Sequence, residues 1–330
     1  MPELKPNACV FSPCPILTVT IEDAGDERAA LHLHAGGQGV WVARMAATLG
    51  ANVTLCCSLG GEPGQVLEVL LRKEGIRLAT SLSGDPSPAY VHDRRGGDRD
   101  PLASTPGPRL SRHEADELYN IALAEAISND VVVLTGQNQF RTVPPEMYGR
   151  LSRDLRANGV RTVADVTGEE LAALDRVDVL KVAHADLLED GEAATDNVRE
   201  FIVVLEDLGA RKAENVIVSR AERPALALFG GRLLEVQPPS FEAIDHHGAG
   251  DSMTAALAVA LATDRDPEAT LQLAAAAGAL NVTRRGLGSG HRQSIEKVAH
   301  AVRVRPLDRD ARDAETAPTT AEQDSQPASR

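Results

Sequence analysis

Between residues 131 and 236, short apolar runs and amphipathic stretches take turns with little sequence between them, and this alternation admits few architectures. Val131-Val132-Val133-Leu134, Arg161-Thr162-Val163-Ala164-Asp165, Val177-Asp178-Val179-Leu180-Lys181-Val182 and Asn215-Val216-Ile217-Val218-Ser219 read as strands. Residues 145–158 and 197–208, which separate some of them, read as helices. Strands that alternate with helices lie parallel, and a parallel sheet needs helices on both faces. The expected fold class is α/β, a doubly wound and mostly parallel sheet. Ligands in such a sheet sit at the carboxyl ends of the strands. Residues 225–229 and 232–236, joined by Gly230-Gly231, read as a hairpin beside it.

The first half of the chain is less regular. Ile16-Leu17-Thr18-Val19-Thr20-Ile21 and Leu31-His32-Leu33-His34 have strand character, and Val53-Thr54-Leu55-Cys56-Cys57-Ser58-Leu59 reads as a buried strand. Residues 40–49 and 65–74 read as helices, with residues 60–64 as a glycine-rich loop between strand and helix. Residues 86–108 are rich in Gly, Pro, Asp and Arg, with one strand-like piece, Ala89-Tyr90-Val91-His92. That composition predicts an excursion from the main sheet. Ser111 with Glu114 three residues on is a capping box that opens a helix. The expected organisation is one domain over residues 8–307, with lid segments near 12–35 and 86–109. A disordered polar tail is expected over 308–330.

Only 3% of the 330 residues are aromatic although 43% are hydrophobic, so Ala, Leu and Val must fill the core. A net charge of −14 argues against binding a nucleic-acid backbone. It leaves room for a small anion, which a few local N–H groups and arginines can hold. The four cysteines, Cys9, Cys14, Cys56 and Cys57, show no metal-ligand spacing and read as reduced thiols. With no signal-like N-terminus and no apolar run of about 20 residues, a soluble, cytoplasmic protein without membrane contact is expected.

The most specific local pattern is His247-Gly248-Ala249-Gly250-Asp251-Ser252-Met253-Thr254 running into an Ala-rich helix. Glycines let consecutive N–H groups converge, and a helix starting there adds its own unsatisfied N–H groups and dipole. Such a place binds phosphate. Asp251 is then either an ordinary N-cap or a carboxylate with a chemical task. A second cluster, Gly36-Gly37-Gln38-Gly39, either caps a helix or turns its N–H groups toward a polar ligand. It is not a dinucleotide fingerprint, because Val42 stands where the third glycine belongs.

Other residues carry weaker signals. Asp165, Lys181, His184 and Asp186 fall near strand ends; taken singly each is expected to be a solvated loop residue, and together the carboxylates are candidates to hold a metal–phosphate complex. Nothing marks His184 as a ligand. His246 and His247 flank the phosphate turn without zinc spacing. Arg94, Arg95 and Arg109 are candidates to clamp a phosphate.

Taken together, the two glycine clusters resemble those of the ribokinase-like (PfkB) carbohydrate kinases. The resemblance runs from about residue 8 to 307 and includes Ala43-Arg44 and Leu49-Gly50-Ala51 after the first cluster. Val218-Ser219 and residues 274–281 resemble the segments that enclose the nucleotide base. The nearest flavour is the 1-phosphofructokinase and tagatose-6-phosphate kinase branch. The chain departs from that branch at Gln38 (usually Lys), at Trp41 (usually Asn) and around Ile16, where an Asp is usual. It departs again at Ala183-His184-Ala185-Asp186, where the family has Asn-x-x-Glu.

The resemblance implies a ribokinase-like sheet with a small β lid, ATP and Mg²⁺, and γ-phosphoryl transfer to a hydroxyl of a sugar or sugar phosphate, fructose 1-phosphate-like by preference. It implies Asp251 as base, with Gly248, Ala249 and Gly250 forming the anion turn. It also implies Gly36, Gly37, Gln38, Gly39, Trp41 and Arg94 at the acceptor, and Ser219, Arg220 and Asn281 at the nucleotide. Asp186 is implied near the metal through water, and two subunits pair through the lid. The departures keep two alternatives open, a non-catalytic metabolite sensor and a kinase for another alcohol such as a nucleoside.

Overall fold

A run such as Val131–Thr135, buried at every position, can only be a strand covered on both faces. Its neighbours follow the same rule. The computed structural model describes residues 5–25, 28–97, 100–137, 140–284 and 287–309. In chain order the elements begin with β1 (Asn7–Phe11), β2 (Ile16–Asp23), β3 (Ala29–Gly36), α1 (Gln38–Thr48), β4 (Asn52–Leu59) and α2 (Gly61–Lys73). There follow β5 (Arg77–Leu82), β6 (Ala89–Asp93), β7 (Asp100–Ser104), α3 (Arg112–Ile127), β8 (Val131–Thr135) and α4 (Glu146–Ala157). Next come β9 (Thr162–Asp165), α5 (Gly168–Ala173), β10 (Val177–Ala183), α6 (His184–Glu189), α7 (Val198–Arg211) and β11 (Ala213–Arg220). The last are β12 (Arg223–Phe229), β13 (Arg232–Gln237), α8 (Ala249–Ala262), α9 (Pro267–Asn281), α10 (Arg292–Ala299) and β14 (Arg303–Pro306).

Ten strands form one sheet in the order β14-β13-β12-β11-β10-β9-β8-β1-β4-β5. Pairing is parallel from β5 through to β11 and antiparallel from β11 to β14. Alternate side chains divide the core into two layers. Val131 and Val133 join the cluster under α1, α8 and α9, while Val132 and Leu134 join the one under α3, α4 and α7. The chain leaves β1 toward β4 on one side and returns by β8 on the other, so the strand order switches at β1. In a doubly wound sheet such a switch opens a crevice at the carboxyl ends.

The stretches flagged near residues 16–34 and 89–92 come together in a second sheet of order β3-β2-β6-β7. Pro101 lies in β7, at the edge of that sheet, where a missing N–H costs nothing. Leu17 and Ala35 anchor it, buried in the same apolar cluster as Leu67 of α2. The loop expected at 60–64 is shorter than read: α2 already begins at Gly61, with Pro63 in its first turn, where a proline fits. The Ser111–Glu114 capping box is present. Leu307, the last residue of the expected domain, packs on the core; of the tail, Asp308 and Arg309 are described, with Arg309 paired to Glu206, and residues 310–330 lie outside the described residues. Among the described residues no helix is long and apolar enough to cross a membrane.

Tyr148 links α4 to the sheet. It is fully buried, its hydroxyl donates to the Thr135 carbonyl at 2.8 Å, and its ring meets Phe11 edge-on at 5.6 Å. Tyr148→Phe keeps the ring and removes the hydrogen bond. Denaturant unfolding should show a loss of about 0.5–1.5 kcal/mol; no loss would mean that the hydroxyl contributes nothing to holding α4.

Candidate active site

The phosphate turn is built by glycine. Gly248 sits at φ 75°, in the left-handed region, and is the N-cap of α8. No side chain caps this helix, so the reading of Asp251 as N-cap is corrected: Asp251 is the third residue of the first turn. The N–H groups of Ala249, Gly250 and Asp251 therefore start the helix without intrahelical acceptors and point where an anion would sit. Ser252 closes the turn from within, its hydroxyl donating to the Gly248 carbonyl at 2.8 Å.

The carboxylate of Asp251 is almost wholly buried. Burial, reinforced by the nearby charge of Asp165, pushes its carboxyl up to about 7, against the lowering effect of Lys181. Asp165 and Lys181 are themselves buried, at 4% and 5% exposure, and they form an ion pair at 3.1 Å. This corrects the expectation that each is a solvated loop residue. Parallel pairing of β9 with β10 sets Leu180 against Ala164 and so brings the next residues, Lys181 and Asp165, side by side. Thr254 of α8 donates its hydroxyl to Asp165 at 2.6 Å. Burial alone would lower the Lys181 ammonium, but the carboxylates of Asp165 and Asp251 outweigh it and hold the group charged.

Gly250 is small for a reason of space. A Cβ there would stand 2.6 Å from the Lys181 Nζ. Beside it opens a pocket of about 560 Å³ whose walls include Lys181, Ser219, Arg220, Phe241, Gly250 and Val282. That size suits a small organic ligand such as a nucleotide. Ser219 is half-buried on this wall, and the buried Arg220 lies over the Phe201 ring at 5.5 Å. His184 turns Nδ1 to the Ser219 carbonyl at 3.2 Å, and exposed His246 also lines the pocket. His247 pairs with the buried Asp245 at 2.7 Å.

Asn281 departs from its expected role. It is fully buried, and both ends of its amide serve the backbone: Nδ2 donates to the His247 carbonyl at 2.7 Å and Oδ1 accepts from the Gly288 N–H at 3.0 Å. It therefore braces the turn before α8 from α9 and is not among the residues that wall the pocket. Nothing in its spacing from residue 247 reveals this.

On the other side of Asp165 stands the first glycine cluster. Gly36 ends β3, and Gly37, at φ 99°, caps α1. Gly39 packs so closely on the β1–β2 connection that a Cβ would come within 2.2 Å of the Ser12 Cβ. Gln38 reaches across and donates from Nε2 to the Asp165 carbonyl at 3.2 Å. Half-buried Trp41 places its indole nitrogen 3.9 Å from where a Gly36 Cβ would be. Arg94 stands apart, half-buried at the end of β6, its N–H bound to the Ile21 carbonyl at 2.8 Å. Arg95 is taken up by Asp93, and Arg109 is exposed.

Among the described residues no group of three or more His, Cys, Asp or Glu is set to hold a metal ion. Asp186, half-buried in the first turn of α6, is pushed up by burial. One carboxylate cannot make a protein cage. It does fit a divalent ion carried mainly by phosphates and water, which is how Mg²⁺ travels with a nucleotide.

Residues 14–293 match the model of the pfkB family carbohydrate kinases. The ATP-dependent 6-phosphofructokinase isozyme 2 of Escherichia coli is 29% identical over 263 residues, covering 76% of this chain and 82% of its own. A crystal structure of phosphofructokinase-2 from E. coli in complex with potassium superposes with a TM-score of 0.79 at 23% identity, covering 90% of this chain and 99% of that one. Ribokinase of Arabidopsis thaliana, complexed with ribose and ATP, superposes at 0.68 with 20% identity over 90% and 99% of the two chains. The family match spans both glycine turns and the strand ends between them, and the chain belongs to the pfkB family of carbohydrate kinases, phosphotransferases with a hydroxyl acceptor.

Proposed function

We propose that the chain transfers the γ-phosphoryl group of ATP to a hydroxyl of a phosphorylated sugar, with Asp251 as the base. The observation that carries this reading is the placement of one buried carboxylate in a helix first turn whose N–H groups are open to an anion. A sensor for the same ligands has no need of that carboxylate. The hydroxyl proton passes to Asp251 as the oxygen bonds to the γ-phosphorus, and the bond from that phosphorus to the β,γ-bridging oxygen breaks to release ADP. Phosphoryl transfer has a loose transition state, so fixed dipoles and positioning do most of the work. The N–H groups of Ala249, Gly250 and Asp251 supply the dipoles. Mg²⁺ would neutralise charge on the nucleotide phosphates, with Asp186 facing it through water. Ser219 and Arg220 form part of the nucleotide wall, while Gly36, Gly37, Gln38, Gly39, Trp41 and Arg94 form the acceptor side.

The small sheet β3-β2-β6-β7 serves in this reading as a lid that excludes water, the competing acceptor. Leu31 and Leu33 on β3 are 65% and 44% exposed, which supports pairing of two copies through that sheet. The domain extends over residues 8–307, and the four buried free thiols suit a reducing compartment such as the cytoplasm. The acceptor favoured is fructose 1-phosphate-like; fructose 6-phosphate, bound in one of the related E. coli structures, is the natural comparator.

Asp251→Asn should lower kcat by about 10²–10⁴-fold in a folded protein; near-normal activity would rule out the base. In the unchanged enzyme the Asp251 carboxyl is raised to about 7, so kcat/KM should fall as pH drops below that value, where the base is protonated. For the acceptor, ATP consumption measured across a panel should be most efficient with fructose 1-phosphate, and Arg94→Ala should raise its KM while leaving that for ATP unchanged. Faster turnover of an unphosphorylated ketose would reject the sugar-phosphate reading. In sedimentation, Leu33→Asp should convert a dimer to monomer; a dimer that persists would place the contact elsewhere.

A further inference from the structure

Lys181 lies between two buried carboxylates and pairs with only one. Its Nζ is 3.3 Å and 3.1 Å from the two carboxylate oxygens of Asp165. Its end also lies against Gly250, the residue before Asp251. Among the described residues no cation stands within ion-pair distance of Asp251. Asp165 is held in this arrangement from several directions. Thr254, three residues after Asp251 and so on the same side of α8, donates to its carboxylate at 2.6 Å. Its backbone carbonyl accepts from the Gly136 N–H at 3.1 Å and from Gln38 Nε2 at 3.2 Å.

An ion pair with lysine would weaken Asp251 as a base and occupy the oxygen that must receive a proton. We propose that Asp165 is a positioning residue for the transfer step: it keeps Lys181 on its own carboxylate, tethers α8 through Thr254, and so leaves Asp251 without an ion pair. Gln38 ties the acceptor turn to the same residue, so acceptor contacts and the base share one anchor. This rests on the reading of Asp251 as the base, which Asp251→Asn tests separately.

The charged groups around Asp251 are Asp165 from β9 and Lys181 from β10, and Asp186 from α6 acts on both of these. Nearby, α1 and α9 contribute uncharged amides, Gln38 on the Asp165 carbonyl and Asn281 on the His247 carbonyl. Removing the negative charge of Asp165 frees Lys181 for Asp251, and both changes favour the ionised base. Removing Lys181 has the opposite effect.

The test is the acid limb of kcat/KM against pH, measured with one sugar phosphate so that substrate ionisation is common to all variants. Asp165→Asn should move the limb down by roughly 1–3 pH units, and Lys181→Met should move it up. Should either of these buried-charge variants fail to fold, Thr254→Val serves, since it alters no charge and little volume. It should move the limb down by less than Asp165→Asn. Opposite shifts in the first pair, or a downward shift in Thr254→Val, support the proposal. Lower rates with an unmoved limb, or shifts of one sign in the first pair, overturn it, because a purely structural role changes amplitude and not the sign of a charge effect.

Discussion

An ammonium group cut off from water has to be neutralised by whatever the fold brings within reach, and at Lys181 that requirement organises the centre of the molecule. Two adjacent parallel strands must keep their register, because a slip of one residue would turn Lys181 and Asp165 to different faces. The helix that crosses above them must begin with residues small enough to admit the lysine head, and Gly250 meets that need. A buried ion pair adds little stability over apolar residues of the same volume. Its presence at the carboxyl edge of the sheet, rather than in the interior, is explained by what lies next to it: the phosphate turn and the pocket beside it.

The same economy of space explains the composition. Helices α8 and α9 pack through Ala and Gly, with the Cβ position of Gly278 only 3.1 Å from the Ala249 carbonyl oxygen. Bulky aromatics in these helices would hold them apart and pull the turn away from Lys181. Asn281 then fixes the height of the turn by joining the His247 carbonyl to the Gly288 N–H. Its amide can do so in an interior where an unmatched carbonyl would be costly. The low aromatic content and the phosphate turn are thus one design.

Much of this was legible in the residues. The runs Val131–Leu134 and Val177–Val182 read as strands and lie within β8 and β10, and the Ser111–Glu114 box marks a helix start that the structure contains. Strand β5, Arg77-Leu78-Ala79-Thr80-Ser81-Leu82, gives little apolar signal: at the sheet edge its Leu78 and Ala79 are only partly buried, one on each core layer, and its remaining positions are polar or exposed. The short helices α5 and α6 give no periodicity over six residues. The active centre shows the deeper limit. Asp165, Lys181 and Asp251 are far apart in the chain, and as isolated charges near strand ends they look solvated. Only the register of β9 on β10 and the crossing of α8 remove the water. The capping role assigned to Asp251 failed for a related reason: a left-handed glycine can start a helix with no side chain at all.

The departures from the family pattern fall on both sheets: Ala183-His184-Ala185-Asp186 ends β10 and opens α6 beside the ten-stranded sheet, while Gln38 and Trp41 follow β3 of the small one. Lys181, Asp165 and the turn at Gly248–Asp251 are all set by strands and helices packed on the core layers of the ten-stranded sheet. The residues about the first glycine turn draw on both sheets. Gln38 and Trp41 belong to α1, but the turn that carries them leaves β3 of the small sheet, and Arg94 directly follows β6 of that sheet. A substitution at Trp41 changes the surface beside Gly36 without touching the pair beneath. Gln38 is the exception, since its amide reaches the Asp165 carbonyl. Its neutral amide adds a hydrogen bond to the backbone of Asp165 and brings no second cation to the pair. Residue 38 is therefore the point where the first glycine turn is joined to the buried pair, and a change there reaches both.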